Sequence, residues 1–168
     1  YYDWFQAGAV HPEHFVPQER AVERLAQLCK HYDCILLQPS SYRVFDGVRA
    51  TAYNETSECQ PLSPRGKALM RMEQSVRALC SKHILLRVGW LLDDSPDGML
   101  GRVLQRAQDH ELLEMADDRR GNPTPVEDAA RVILAILKQL DCAAPLWGTY
   151  HYGGQEAATA LSVAQAIL

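Results

Sequence analysis

The side chains best suited to chemistry in this sequence follow directly after a short apolar run. Ser40, Ser41 and Tyr42 come just beyond the run at residues 34–37, and Tyr53 lies further along the same polar stretch. A hydroxyl can polarise a substrate carbonyl, and a tyrosine can donate a proton when a nearby cation stabilises its anion. The run is typical of a strand buried on both faces. Because ligands of open parallel sheets bind beyond the carboxyl ends of the strands, these residues are candidate binding groups.

The elements that position these residues alternate between helices and strands. Apolar periodicity and capping signals predict helices over residues 17–31, from 63–64 onward, from 95–96 onward, over 124–140 and over 155–168. Short apolar runs predict strands over residues 34–37, 83–88, 112–115 and 147–152. Such alternation implies parallel strands joined by right-handed crossovers. The predicted fold is therefore α/β, a Rossmann-like parallel sheet with flanking helices in a single domain over residues 1–168.

Three of these helices begin with recognisable capping signals, and the weakest of them begins at Ser95-Pro96. Ser63 before Pro64 gives an N-cap followed by a proline whose missing N–H costs nothing, and five apolar residues then repeat at the helical spacing. We expect that face to be buried; it consists of Leu69, Met72, Val76, Leu79 and Cys80. Thr124 with Glu127 forms a capping-box pattern and predicts the start of the helix over 124–140.

Charge and cysteine spacing exclude several classes of protein. The net charge of −4 without a basic stripe argues against nucleic-acid binding, and the longest apolar run, residues 132–137, is too short to cross a bilayer. The five cysteines never form C-x-x-C, which is typical of a cytoplasmic protein. His11 and His14 have no cysteine or carboxylate cluster nearby, so no metal site is expected.

Six segments in order resemble one family. The segment Ser40-Ser41-Tyr42-Arg43-Val44-Phe45-Asp46-Gly47 resembles the S-T-D-Y-V-F-D-G segment of the dTDP-4-dehydrorhamnose reductases, which are RmlD-like, extended short-chain dehydrogenase/reductases. Five more segments match in register, at residues 52–55, 61–62, 86–90, 118–124 and 148–151. The resemblance implies substrate binding by Ser40, Tyr42, Trp90 and Arg65. It also implies an internal portion of the reductase domain, lacking the glycine-rich βαβ unit with which the family begins.

The helix expected from Ser63 onward corresponds to the catalytic helix of that family. There, a tyrosine donates a proton to the keto oxygen of the substrate, and a lysine four residues later lowers the pKa of the tyrosine and holds the nicotinamide ribose. Arg65 stands at the tyrosine position and Leu69 at the lysine position. Arginine cannot cycle a proton at physiological pH, and leucine carries no charge. Lys67 cannot substitute, because a residue two positions along lies on another helical face.

Three functions are therefore open. The resemblance combined with the lost pair favours a catalytically silent protein that binds a nucleotide or sugar nucleotide, or that regulates a partner. The regulatory β subunit of methionine adenosyltransferase resembles the family in this way. The first alternative is an active NAD(P)H-dependent reductase of a nucleotide-linked 4-keto sugar, with Ser41 retained at the Ser/Thr position and displaced acids such as Tyr42 or Tyr53. The second alternative is an interaction module without a small-molecule site, as a homodimer or with another protein. NAD(P) is the family's cofactor, but this chain offers no motif for it.

Overall fold

The computed structural model describes residues 11–93, 95–96, 98–109, 115, 117–142 and 145–168, leaving aside the side chain of Met99. Within these residues there are five α-helices and seven strands. The helices are α1 (Val16–His31), α2 (Pro64–Leu79), α3 (Met99–Gln108), α4 (Val126–Asp141) and α5 (Ala160–Ile167). The strands are β1 (Leu36–Ser41), β2 (His83–Val88), β3 (Trp90–Leu92), β4 (Arg120–Gly121), β5 (Pro123–Pro125), β6 (Gly148–Tyr152) and β7 (Ala158–Thr159). Short 3₁₀ helices span Pro12–Phe15 and Tyr42–Val44.

The chain divides into two compact units, and the first contains a parallel sheet. This unit comprises the described residues up to Val88 together with Ile136–Tyr152. Its sheet has the strand order β1-β2-β6, and all three strands run parallel. The register places Ser40 beside Arg87, and Arg87 beside His151. Three polar side chains therefore stand in one row across the sheet.

The core of the first unit joins α1 and α2 to one face of this sheet. Its buried members come from both helices and two strands: Ala26, Cys29, Leu36, Val76, Cys80 and Leu85. Successive side chains of a strand point to opposite faces. Ser40 therefore shares the face of Leu36 in β1, and Arg87 shares the face of Leu85 in β2. The row of polar side chains continues the apolar surface that the helices cover.

The second unit consists of Gly89–Ala135 and Gly153–Leu168, besides residues outside the described ranges. In it, β3 pairs with β5 in parallel, and β4 pairs with β7 in antiparallel orientation. The Thr124 side chain, only 1% exposed, donates to the carbonyl oxygen of Asn122 at 2.8 Å and accepts from the Gly154 amide at 3.2 Å. The bond from Gly154 ties β5 to the segment that follows β6.

The α/β class with a parallel sheet and flanking helices is confirmed, but the first strand was placed wrongly. The strand was expected over residues 34–37 and buried on both faces; it runs from Leu36 to Ser41, and Ile35 is 42% exposed. Asp33 has φ 54° in the turn that leaves α1, so the chain reaches the sheet only at Leu36. Pro39 fits within β1 because, among the described strands, β1 pairs only with β2, and proline is confined to strand edges.

Most of the other differences between the predicted and the observed elements concern the residue at which a helix begins. The Thr124 hydroxyl serves β5 and does not cap α4, which begins at Val126. α3 begins at Met99, with Gly98 as its N-cap, not at residues 95–96, and α5 begins at Ala160, after β7. The start of α2 is confirmed, because the Ser63 hydroxyl accepts from the Gly66 amide at 3.0 Å. The strand predicted at residues 112–115 lies almost wholly outside the described residues. Within the described residues, no helix is long and apolar enough to span a membrane.

Candidate functional site

The orientation of α2 is fixed by a buried carboxylate. Arg65, Leu69 and Glu73 are spaced four residues apart and therefore share one face of the helix. Glu73 is 1% exposed although it is charged. A carboxylate is buried in this way only when it is paired and hydrogen-bonded. The partners of Glu73 consequently set which way Arg65 and Leu69 face.

Three side chains donate hydrogen bonds to Glu73. The Ser40 hydroxyl donates to Oε1 at 2.5 Å. Arg87 binds in a bidentate manner, with Nε at 2.9 Å from Oε1 and Nη2 at 2.7 Å from Oε2. Arg77, one helical turn further along α2, donates to Oε2 at 2.9 Å. These contacts join α2 to β1 and β2, so the helix can neither rotate nor slide without breaking them.

The electrostatics of this cluster favour the charged forms. Burial alone raises the pKa of Glu73, but the hydrogen bonds from Arg87 and Ser40 and the charges of Arg87 and Arg77 lower it overall. Burial alone lowers the pKa of Arg87, yet Glu73 outweighs that effect and raises it. The pair is thus a carboxylate and a guanidinium at neutral pH, and neither group is available to cycle a proton.

The cluster extends along β6 and into the loop before α2. Arg87 Nη1 lies 3.3 Å from His151 Nε2, and Arg87 Nη2 lies 3.0 Å from the sulfur of Cys59. The Glu55 carboxylate accepts from the His151 backbone amide at 2.9 Å. Burial lowers the pKa of His151; Glu55 raises it, and the positive charge of Arg87 lowers it further. A neutral His151 that accepts from Arg87 fits this arrangement.

Beyond this cluster, the first turn of α2 packs closely against the segment after β1. A Cβ atom at Gly66 would overlap the carbonyl oxygen of Arg43, so glycine permits the approach. The guanidinium of Arg43 lies 5.7 Å from the ring centre of Tyr42. Burial lowers the pKa of Arg65; the charge of Arg43 lowers it further, whereas Tyr42 raises it. Tyr42 and Arg43 therefore lie just after β1, in a segment that packs against the first turn of α2, which carries Arg65.

The hydroxyl groups that the sequence predicts to bind or protonate a ligand, at and after the carboxyl end of β1, are engaged in the structure itself. Ser40 donates to Glu73 and is 5% exposed. The Ser41 hydroxyl accepts from the Arg43 amide at 3.5 Å and caps the 3₁₀ helix Tyr42–Val44. The Tyr42 hydroxyl oxygen is buried. Tyr53 stacks on the Phe45 ring, and its hydroxyl donates to the Asp46 carboxylate. That contact lowers the pKa of Asp46.

Trp90 belongs to the other unit, where it is 6% exposed. A Cβ atom at Gly121 would overlap the Trp90 ring, so the indole packs directly on that glycine. The Trp90 amide donates to the Asn122 carbonyl oxygen at 2.9 Å. Trp90 thus has a packing role, and substrate contacts by Trp90, Ser40 and Tyr42 stay predictions.

The residue at the cofactor-binding position that the resemblance assigns differs from what a nicotinamide ribose requires. Leu69 is half-buried and has no donor, so it does not fit the ribose contact that the resemblance assigns to lysine. Among the described residues, no three histidine, cysteine or acidic side chains are grouped as a metal site. All five cysteines are free thiols.

Sequence reasoning missed Glu73 and Arg87, the two best-anchored side chains of the site. A signal was present in each element. Glu73 interrupts the apolar face of α2 between Met72 and Val76. Arg87 is the charged residue in a strand that is otherwise largely apolar and buried. Two opposite charges in buried positions of neighbouring elements predict a pair, because neither could be buried alone.

The comparisons with known proteins identify the family. The whole chain, residues 1–168, matches the family model described as the RmlD substrate binding domain. The chain belongs to this family. It is 28% identical over 137 residues to a dTDP-4-dehydrorhamnose reductase of Aggregatibacter actinomycetemcomitans, an alignment that covers 81% of this chain and 47% of the relative. The chain thus spans about half the length of the curated relatives it matches.

Solved structures of RmlD-type reductases share the fold. A dTDP-4-dehydrorhamnose reductase from Clostridium acetobutylicum superposes with a TM-score of 0.85 at 24% identity, over 97% of this chain and 57% of that chain. A Bacillus anthracis reductase in complex with NADP gives a TM-score of 0.80 at 23% identity, over 88% of this chain and 51% of that one. The Rossmann-like architecture predicted from the sequence is therefore confirmed.

Proposed function

We propose that this chain is part of an RmlD-type protein that binds a nucleotide or nucleotide-linked sugar without the tyrosine–lysine proton transfer of the reductases. One observation carries the proposal. The helical face that Glu73 anchors to the sheet also carries Arg65 and Leu69, the residues at the positions that the resemblance assigns to the reactive tyrosine and lysine. Arginine cannot act as a proton donor at neutral pH, and leucine can neither hold a ribose nor polarise a phenol.

The surroundings of the two candidate replacement acids support the same proposal. The Tyr53 hydroxyl donates to the Asp46 carboxylate, whose negative charge opposes formation of a phenolate, although the Arg49 guanidinium lies 5.3 Å from the centre of the Tyr53 ring. The Tyr42 hydroxyl oxygen is buried, so it does not face solvent from which a substrate would enter. For either tyrosine to act as the proton donor of an active reductase, its side chain would have to rearrange.

The test measures binding and turnover separately in the full chain. Calorimetry with dTDP-glucose should show binding. NADPH with a dTDP-4-keto-6-deoxy sugar should show no oxidation of the nicotinamide. Turnover that is lost in Tyr42→Phe or Tyr53→Phe would establish the reductase with displaced groups instead. If no nucleotide sugar binds, the remaining candidate function is the interaction module. Its partner would be a second copy of the chain or another protein.

A gain-of-function variant gives a sharper test of the replaced pair. In the full-length protein that contains this chain, Arg65→Tyr with Leu69→Lys should introduce NADPH oxidation, because Glu73 already holds both positions on one face and Ser41 is retained. Arg65→Phe with Leu69→Lys is the matched control, which lacks only the phenolic hydroxyl. Equal activity in both double variants would refute the role assigned to position 65.

A further inference from the structure

The C-terminus of α1 ends in a Schellman motif that begins and ends with a cysteine. The Asp33 amide donates to the Lys30 carbonyl oxygen at 3.4 Å, and the Cys34 amide donates to the Cys29 carbonyl oxygen at 2.8 Å. Asp33 has φ 54°, the left-handed conformation that this motif requires. In such a motif the side chains of the first and last residues frequently contact each other. The motif therefore brings Cys29 and Cys34 together at the end of the helix.

The backbone hydrogen bond limits the distance between the two cysteines. Standard bond lengths, with 2.8 Å between the Cys34 nitrogen and the Cys29 oxygen, keep the two Cα atoms within about 6.7 Å of each other. Disulfides join residues whose Cα atoms are about 4.4–6.8 Å apart. Both cysteines are free thiols in the structure. The spacing therefore permits a disulfide without a large movement of the backbone.

The two thiols differ in exposure. Cys34 is exposed, whereas Cys29 is 9% exposed and belongs to the core of the first unit. Burial raises the pKa of Cys29, and the nearby thiols of Cys80 and Cys34 raise it further. The Cys34 thiol donates to the Tyr32 carbonyl oxygen at 3.6 Å, and thiols are weak donors, so little opposes rotation of this side chain. An oxidant in solution therefore reaches Cys34 first, and Cys29 reacts second.

We propose that Cys29 and Cys34 form a dithiol that a hydroperoxide oxidises to a disulfide. The Cys34 thiolate attacks a peroxide oxygen: a sulfur–oxygen bond forms, the oxygen–oxygen bond breaks, and water or an alcohol leaves with the thiol proton. The Cys29 sulfur then attacks the sulfenic acid of Cys34, so that the sulfur–sulfur bond forms, the sulfur–oxygen bond breaks, and water leaves with the Cys29 proton. The two thiols lose two electrons in total, and the peroxide gains them. The proposal does not depend on the function proposed above, since it involves neither Arg65 nor Leu69.

Peptide mapping of the full chain after oxidation by hydrogen peroxide tests the proposal. Remaining thiols are alkylated, and trypsin then cleaves after Lys30, between the two cysteines. Mass spectrometry should show residues 25–30 joined to residues 31–43, and dithiothreitol should release both peptides. Thiols held together have effective concentrations of about 1 mM or more, so at about 10 µM protein this product should exceed disulfides between chains about 100-fold.

Two variants that each remove one exposed thiol give a matched comparison. Cys34→Ser should abolish the linked product, whereas Cys142→Ser should leave its yield unchanged. If residues 31–43 are instead joined to residues 78–82, which contain Cys80, the assignment of Cys29 is wrong. Oxidation of Cys34 to a sulfinic acid without a disulfide, or a product that forms only between two chains, would also overturn the proposal.

Discussion

Removing the Glu73 carboxylate should destabilise the first unit far more than removing any exposed charge. Glu73→Ala leaves the Arg87 guanidinium, which is 3% exposed, without the two hydrogen bonds of 2.9 Å and 2.7 Å that now balance it. Breaking a buried ion pair on one side costs about 3–5 kcal/mol, because a desolvated charge is left behind. The Ser40 hydroxyl also loses its acceptor. We therefore expect the free energy of unfolding to fall by about 3–5 kcal/mol.

Urea titration followed by far-UV circular dichroism measures this change. The chain supplies a matched control in Glu19, which accepts from Arg71 Nε at 2.9 Å and from Nη2 at 2.6 Å. The geometry is bidentate as in the buried pair, but the Arg71 side chain is 46% exposed. Exposed pairs contribute about 0–1 kcal/mol, so Glu19→Ala should have little effect. Equal losses in Glu73→Ala and Glu19→Ala would refute the reasoning.

A double variant separates the orphaned charge from the lost packing. Glu73→Leu with Arg87→Met replaces both charges by apolar side chains of similar length. Replacing a buried ion pair in this way is often neutral, whereas removing one partner is not. The double variant should therefore be more stable than Glu73→Leu alone. If the double variant is less stable than Glu73→Leu alone, the unpaired charge of Arg87 is not the cause of the destabilisation.

Two further predictions concern the surroundings of the pair. Because the pKa of His151 is lowered in the folded state, stability linked to it is present above the unfolded value of 6.5 and is lost as the pH falls through and below that value. His151→Gln should flatten the decline of the unfolding free energy between about pH 7 and pH 5 in urea titrations; an unchanged slope would contradict the lowered pKa. Gly66→Ala should lower stability by about 1–3 kcal/mol, although alanine favours helices, because its methyl group would overlap the Arg43 carbonyl oxygen. Thermal unfolding beside Lys67→Ala, expected to change stability by less than about 0.5 kcal/mol, checks this, and equal melting temperatures would argue against the close approach.

The elements predicted most successfully were those with local signals. Ser63 and Pro64 fix the start of α2 through a hydrogen bond within four residues, so no distant contact is needed to predict it. The apolar run of β2 lies in the middle of the described sheet and is buried along most of its length. β1 was harder to place, because Ile35 belongs by type to a strand but lies in the turn that leaves α1. Residue type alone does not reveal where a turn ends.

The buried faces of helices were predicted only in part. Met72 and Val76 in α2 and Cys80 at its C-cap are buried as expected, whereas Leu69 and Leu79 are half-buried. Periodicity identifies the side of the helix that faces the sheet, but it does not give the depth at each turn. That depth depends on the neighbouring elements, which the local pattern does not contain.

The sequence by itself determined the α/β fold and the start of α2, and it predicts that Arg65 and Leu69 stand where the resemblance places the tyrosine and lysine. These features depend on residue type and local spacing, which are visible along the chain. Only the tertiary structure showed that Glu73 joins Ser40 and Arg87, and that Gly66 packs against the Arg43 carbonyl oxygen. Such pairs join elements far apart in sequence, and many charged residues could have formed them. Strand register and helix packing select one pairing, because a buried charge is tolerated only where its partner lies within hydrogen-bonding distance.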